Sequence, residues 1–389
     1  MSDQASTKTE KAPWVSPFKR FENFTVLTIF VSFVIIIVLL QLIMTGGTKY
    51  PTFISPVNIL NIMQQVGVPG IVAVGMTMVM ISGGIDLSVG MLASLVSIVT
   101  ALSISKWHLG VVPSILVGIS TAVVLETLMG FIISRVKVEP FIITLGGMIT
   151  FQGIALLLCN SREVIMNGEL NFIKTNLIAG TKDPVTGLNL VIPPYVLVFL
   201  LLALLVGLLL KYTKYGRRIY AVGNNSNAAF LAGINVRAMR LSVYALMGLL
   251  VGIGSVMLLA RINVGIITLG QGLEIDTIAM VVIGGTALKG GKGNVLGTLI
   301  GVFFLGSIGN AMNLLRLPSE VQFVAKGLVI IVAVSAGYVS STFSEFLSRR
   351  KGLAAVSGDA SKGGLDRRTS QLSISVMLIV IPTRQGEER

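Results

Sequence analysis

Few residues in this chain could make or break a bond. His108 is the single histidine and Cys159 the single cysteine, so a zinc site, a Ser-His-Asp relay and an intrachain disulfide all lack their parts. Gly290-Gly291-Lys292-Gly293 superficially looks like a phosphate loop, but it lacks the G-x-x-x-x-G-K-[ST] spacing and a preceding soluble strand. No catalytic residue, metal or cofactor is therefore expected, and any use of ATP must come from a partner. What remains is a handful of charges in apolar surroundings. The foremost is Asp86, in the run Gly83-Gly84-Ile85-Asp86-Leu87-Ser88-Val89-Gly90. A carboxylate at a glycine-broken helix junction is costly in lipid, so Asp86 must be bonded locally or face a cavity. One reading makes it the N-cap of a helix starting near Leu87, accepting amide hydrogen bonds. The other makes it a substrate or gating contact. Glu126 and Lys326 also fall inside apolar stretches, where charges normally face the interior of a helix bundle.

The elements that must position these charges are membrane helices. Of 389 residues, 53% are hydrophobic and 12% charged, and the mean hydropathy is +0.87. An average soluble domain carries about 25% charged residues, and a soluble core cannot absorb the difference. A soluble enzyme and a disordered chain are both excluded. Apolar runs at 24–44, 59–81, 88–104, 111–133, 141–159, 192–210, 241–260, 275–288, 294–313 and 323–343 make ten candidate spans. The run 275–288 is short for a hydrocarbon core of about 30 Å. Phe24–Met44 lacks the short core and small-residue cleavage site of a signal peptide, so it reads as an uncleaved span.

The net charge of +13 would suggest nucleic acid in a soluble protein. Here the basic residues sit between apolar runs and read as loops beside anionic lipid. They concentrate in the N-terminus and in 134–140, 211–240, 289–293 and the stretch after 348. With an even number of spans, the positive-inside rule puts both termini in the cytoplasm. The expected organisation is a cytoplasmic segment 1–23, a transmembrane domain 24–345 and a cytoplasmic tail 346–389. An internal echo links Met78-Val79-Met80-Ile81-Ser82-Gly83-Gly84 to Met280-Val281-Val282-Ile283-Gly284-Gly285, consistent with broken helices and a duplication. The basic loop 211–240 contains Ala228 to Ala232, a short helix with an apolar face that a cytosolic loop has no lipid reason to carry. It is expected to dock on a soluble partner. In that reading Gly216 lets the chain turn off the preceding span and Arg217 and Arg218 anchor the loop. Ala228, Ala229 and Leu231 supply the docking face, and Gly233 ends the helix. Asn61, Gln64, Gln65, Gln152, Asn310 and Asn313 are polar residues in spans that could touch a solute or simply bond between helices.

Four ordered stretches resemble a known family: Gly83 to Gly90; Pro140-Phe141-Ile142-Ile143-Thr144-Leu145-Gly146-Gly147-Met148; the basic loop; and Gly270 to Asp276 through Gly284, Gly285, Gly290, Gly291, Gly293 and Gly297-Thr298. They are similar to the integral-membrane permeases of the monosaccharide (ribose, galactose, xylose, autoinducer-2) branch of bacterial ABC importers, over roughly residues 50–345. The resemblance implies an all-α polytopic fold in the inner membrane and a permease pair, homodimeric or paralogous. It also implies a separate ABC ATPase, a periplasmic sugar-binding protein and a monosaccharide substrate. Gly216 to Ile234 would form the segment contacting the ATPase. The chain departs from the family pattern at Gly223-Asn224-Asn225-Ser226-Asn227, Glu126, Met129 and Glu139. Competing readings are an ion-coupled secondary transporter, and ABC permeases for nucleosides or branched-chain amino acids.

Overall fold

The computed structural model describes residues 53–136, 138–174, 192–329 and 331, with a few residues between 30 and 41. The expected segment 1–23 and tail 346–389 lie outside the described residues, as do parts of the expected spans 24–44 and 323–343. The described residues all fall in the compact unit Met1–Ala333.

The described residues are helical almost throughout. Its elements are α1 (Pro56–Ile81), α2 (Val89–Ser105), α3 (Val111–Arg135), α4 (Pro140–Cys159), β1 (Val164–Ile165), α5 (Asn171–Lys174), α6 (Pro194–Tyr212), α7 (Lys214–Asn224), α8 (Ser226–Leu231), α9 (Val236–Ile262), β2 (Val264–Gly265), a 3-10 turn (Ile267–Gly270), α10 (Leu273–Ile283) and α11 (Val295–Leu314). Among the described residues six helices (α1, α3, α4, α6, α9 and α11) are long and apolar enough to cross a membrane, and α2 is a shorter apolar helix. Seven of the runs read from the sequence thus hold an apolar helix of 17 residues or more among the described residues, and the protein is a polytopic all-α membrane protein.

Helix α2 is the centre of the bundle. It is buried from Val89 to Ile104 on every side, as expected of a helix that is apolar all round. The hydroxyls of Ser97, Thr100 and Ser103 donate to the carbonyls of Ala93, Val96 and Val99, four residues back, so a dry interior leaves them satisfied. Around α2 pack α3, α4 and α9. Where α9 crosses α3, Gly248 lies against the Ala122 carbonyl and Gly252 against Ile119, an approach that small residues permit in lipid. Leu116, Val124, Leu157 and Leu204 point outward. In a membrane helix these are contacts for acyl chains.

The span expected at 275–288 is corrected. Helix α10 covers only Leu273–Ile283, and the short strand Val264–Gly265 and the 3-10 turn Ile267–Gly270 precede it. The stretch from Val264 to Gly270 lies along α2, with Gly265 against Ile98 and Ala101 and Gly270 against Gly90. The Gly270 N–H donates to Ser94 Oγ at 2.9 Å. Irregular backbone is tolerated at this depth because it is buried against protein. At the same end of the bundle as the α2 C-terminus, β1 pairs antiparallel with β2.

Candidate functional site

The basic loops define one end of the bundle, and the two echoed segments both terminate there. In the first, Ser82 N–H bonds Met78 O, Gly83 N–H bonds Met80 O and Gly84 N–H bonds Val79 O. In the second, Gly284 N–H bonds Met280 O, Gly285 N–H bonds Val282 O and Thr286 N–H bonds Val281 O. The pattern of offsets is the same, and Gly83 (φ 86°) and Gly285 (φ 87°) hold the same left-handed position. Both helices stop in one kind of glycine turn because only glycine adopts this conformation without a Cβ penalty. The sequence echo therefore has a structural counterpart.

After the first turn the chain runs without regular structure to Asp86, which is fully buried. Its Oδ1 accepts from Ser88 N–H at 2.9 Å and from Ser88 Oγ–H at 2.6 Å. The expected cap is corrected in register: α2 begins at Val89 with Ser88 at the N-cap position, and Asp86 closes a turn two residues earlier. The Ser88 hydroxyl also lies 3.1 Å from Glu126 Oε1, so α3 contributes a second buried carboxyl to the same spot. Thr144 of α4 clamps the run from the other side, accepting from Leu87 N–H and donating to Ile85 O. Tyr244 of α9 is buried with its hydroxyl over Gly84. Sequence reading noted Glu126 as a charge in a span but not its partner, 38 residues away. It missed Thr144, whose position inside the Pro140–Met148 motif was the available signal. Gly90 sits against Gly270 and the Glu274 carboxylate, joining the first break to the irregular half-span.

The basic loop folds into two helices. Thr213, extended between α6 and α7, makes the turn off the span, and its Oγ1 accepts from Gly216 N–H at 3.0 Å. Gly216 has a different role from the one expected: it is buried against the Leu209 and Leu210 carbonyls, where a Cβ would collide. Gly216, Ile219 and Val222 form the buried stripe of α7, while Arg217 and Arg218 are exposed. Tyr215 bonds Ser242 of α9 at 2.9 Å, and burial pushes its phenol above the usual tyrosine range. Asn225 caps α8 by accepting from Asn227 and Ala228 N–H. Gly233 (φ 82°) ends it. The expected outward face of α8 is corrected at Ala229, which is 4% exposed and turned into its own chain, whereas Phe230 (70%) and Leu231 (86%) project outward with Ala228. Six residues cannot reveal which side of a helix is covered.

The polar span residues divide. Asn61, Gln64 and Gln65 lie on α1 and Asn310 and Asn313 on α11, helices that pack together, with Gln65 against Gly309. Asn310 is buried, Gln64 and Gln65 are half-buried, and Asn61 and Asn313 are exposed. Asn313 Oδ1 accepts from Gln322 at 3.0 Å. Gln152 stands apart, exposed on α4. Lys326 pairs with Asp276 of α10 at 2.9 Å, each side chain 27% exposed. Among the described residues no cluster of metal-ligating side chains is present.

Residues 58–334 match the family described as the permease component of the branched-chain amino acid transport system. The chain is 38% identical over 286 residues, 73% of this chain and 85% of the relative, to the ribose import permease of Bacillus subtilis (strain 168). It is 37% identical over 293 residues, 75% of this chain and 89% of the relative, to the ribose import permease of Escherichia coli (strain K12). To the xylose transport system permease of Haemophilus influenzae (strain ATCC 51907 / DSM 11121 / KW20 / Rd) it is 32% identical over 333 residues, 72% of this chain and 89% of the relative. No solved structure matches.

Proposed function

The chain belongs to the permease components of the branched-chain amino acid transport system family, and from that premise we propose that it is the membrane subunit of an ATP-driven importer of a ribose- or xylose-like monosaccharide. It is a transport subunit and does no bond chemistry. The observation that carries this reading is its similarity to sugar-import permeases over most of both chains. A polar strip on the outside of a single copy agrees with it. Asn61, Gln64, Gln65 and Asn313 lie on membrane helices yet remain accessible, and polar groups at that depth favour protein or water over acyl chains. A second permease copy, identical or paralogous, covers this strip and leaves a hydrated path for the sugar.

The remaining assignments follow the same logic. The basic end, with Arg217, Arg218, Arg237 and Arg240, faces the cytoplasm and its anionic lipid. Both termini lie there, and the transmembrane domain 24–345 sits in the inner membrane. The segment 211–240 is the ATPase contact, with Phe230 and Leu231 as its apolar tip. A periplasmic sugar-binding protein delivers the sugar at the opposite end. ATP-driven closure of the ATPase pair pulls on α7 and α8, and the path between the permeases opens.

The test uses the chain reconstituted in proteoliposomes with its ATPase and a ribose-loaded binding protein. ATP-dependent uptake of labelled ribose is expected. Uptake that persists without the ATPase and follows an ion gradient overturns the reading. Leu231→Glu should insert normally but lose co-purification of the ATPase, because it places an unpaired charge in an apolar contact. Retained co-purification removes the docking assignment.

A further inference from the structure

Helix α7 ends in a place where no side chain separates it from the glycine turn after α1 or from the glycine loop 290–293 that follows α10. A Cβ on Gly223 would fall on the Ile81 carbonyl oxygen and 2.7 Å from the Gly291 nitrogen. Gly291 N–H donates to that same Ile81 carbonyl at 2.8 Å. Gly290, at φ 85°, leaves only 2.8 Å between its Cβ position and Gly83 Cα, and 2.9 Å to the Gly223 carbonyl oxygen. One turn earlier in α7, Tyr220 O–H donates to Gly293 O at 2.7 Å. The end of α7 is thus wedged between the turn that closes α1 and the loop that follows α10, and apart from the Tyr220 hydroxyl bond the closest contacts are backbone on backbone.

Each of those turns commands a broken element. Gly83 leads into the Asp86–Ser88 run and the N-terminus of α2. Gly293 precedes Asn294, whose Oδ1 accepts from Gly297 N–H at 2.6 Å to start α11, and Gly284 rests on the Gly297 carbonyl. A side-chain contact can absorb a small displacement by changing rotamer. A glycine-to-glycine contact has no rotamer to change, and a close-packed interior passes the displacement on.

We infer that the junction of Gly83, Gly223, Gly290 and Gly291 is the relay that carries movement of α7 and α8 to both broken elements together. Tyr220 is the positioning residue that holds the loop 290–293 to α7. This rests on the importer reading above and adds to it the internal route. Physical adjacency alone does not establish coupling, so the relay needs a readout that responds to nucleotide.

The readout is a single thiol. Cys159, buried and unpaired, is replaced (Cys159→Ser), and Ile85→Cys, in the half-buried run after Gly83, reports on the first turn by its rate of maleimide labelling. In the complex with the ATPase, ATP is expected to change this rate at least threefold. Tyr220→Phe keeps the ring and removes the hydrogen bond to Gly293. It should retain ATPase co-purification, flatten the ATP response of labelling at position 85 to under 1.5-fold, and lower ribose uptake about tenfold, the scale of one lost hydrogen bond. Gly223→Ala should do the same more severely. A junction with Tyr220 in place but no ATP response, or a Tyr220→Phe complex whose ATP response is intact, overturns the relay. Lost ATPase co-purification in Tyr220→Phe also overturns it, since Tyr220 would then belong to the docking surface. Failure of the importer reading appears elsewhere, as a Leu231→Glu complex that keeps its ATPase or a wild-type complex that carries no ribose.

Discussion

Ser88 has one hydroxyl hydrogen and two carboxyl neighbours, Asp86 at 2.6 Å and Glu126 at 3.1 Å, all in a site from which solvent is excluded. Removing an acceptor here strands its donors. Asp86→Leu leaves Ser88 N–H without its acceptor, a loss of about 1–3 kcal/mol, and less protein should reach the membrane fraction. Asp86→Asn keeps Oδ1 as an acceptor and should preserve both yield and transport. Equal yields for the two variants, measured by quantitative immunoblot, would remove the structural role given to Asp86. The Asp276–Lys326 pair makes a second residue-scale case. Lys326→Met isolates a carboxylate that is about three-quarters buried, and a fall in stability of about 1–3 kcal/mol is expected, smaller than for a fully enclosed pair. Asp276→Asn added to it should restore part of the melting temperature in detergent. A double variant no more stable than Lys326→Met alone would show that the pair does not couple α10 to residues 319–329.

The elements of this bundle meet where glycine lets backbones touch, and two glycines separate that role from mere flexibility. A Cβ on Gly270 would strike the Gly90 carbonyl, whereas one on Gly146 meets nothing within 4 Å. Gly270→Ala should therefore cost about 1–3 kcal/mol by overpacking the irregular half-span against α2. Gly146→Ala, on an exposed position of α4, should gain about 0.5–1 kcal/mol from helix propensity. Thermal unfolding in detergent that ranks the two variants the other way would mean that the half-span is not packed on α2 as described. The same contrast governs α8. Ala229→Glu buries a charge inside the chain and should lose protein, while Leu231→Glu should lose only the partner.

For the whole molecule the basic residues decide orientation. Lys211, Lys214, Arg217, Arg218, Arg237, Arg240, Lys289 and Lys292 gather at the end where the glycine turns meet, and clustering of this kind is retained on the cytoplasmic side during insertion. Reporter fusions at Asn225 and His108 are expected to signal cytoplasm and periplasm respectively. Same-side signals would overturn the orientation, and with it the side assigned to the ATPase and the binding protein.

Much of this architecture was legible in the amino-acid order because it depends on local chemistry. A run without charges must be helical in lipid to satisfy its own amides, so 59–81, 111–133, 141–159 and 241–260 could be read from composition. A glycine after a short helical run marks its end, and Gly233 could be read in the same way. Other features depend on which residues meet across the bundle. Asp86 was expected to cap a helix at Leu87, but Thr144 of α4 takes the Leu87 N–H and Ser88, bonded to Glu126 of α3, holds the N-cap position instead. Ala229 was expected outside because alanine is small and apolar, and packing turned it inward while Phe230 and Leu231 faced out. The run 275–288 looked too short because periodicity counts only helical rise, and the strand residues Val264–Gly265 with the 3-10 turn Ile267–Gly270, packed on α2, extend the element. Spans and stops belong to the sequence because each satisfies its own hydrogen bonds. The carboxyl pair, the direction of a six-residue helix and the meeting of α7 with the glycine turn after α1 and the glycine loop after α10 belong to the tertiary structure, because their partners lie tens to hundreds of residues away.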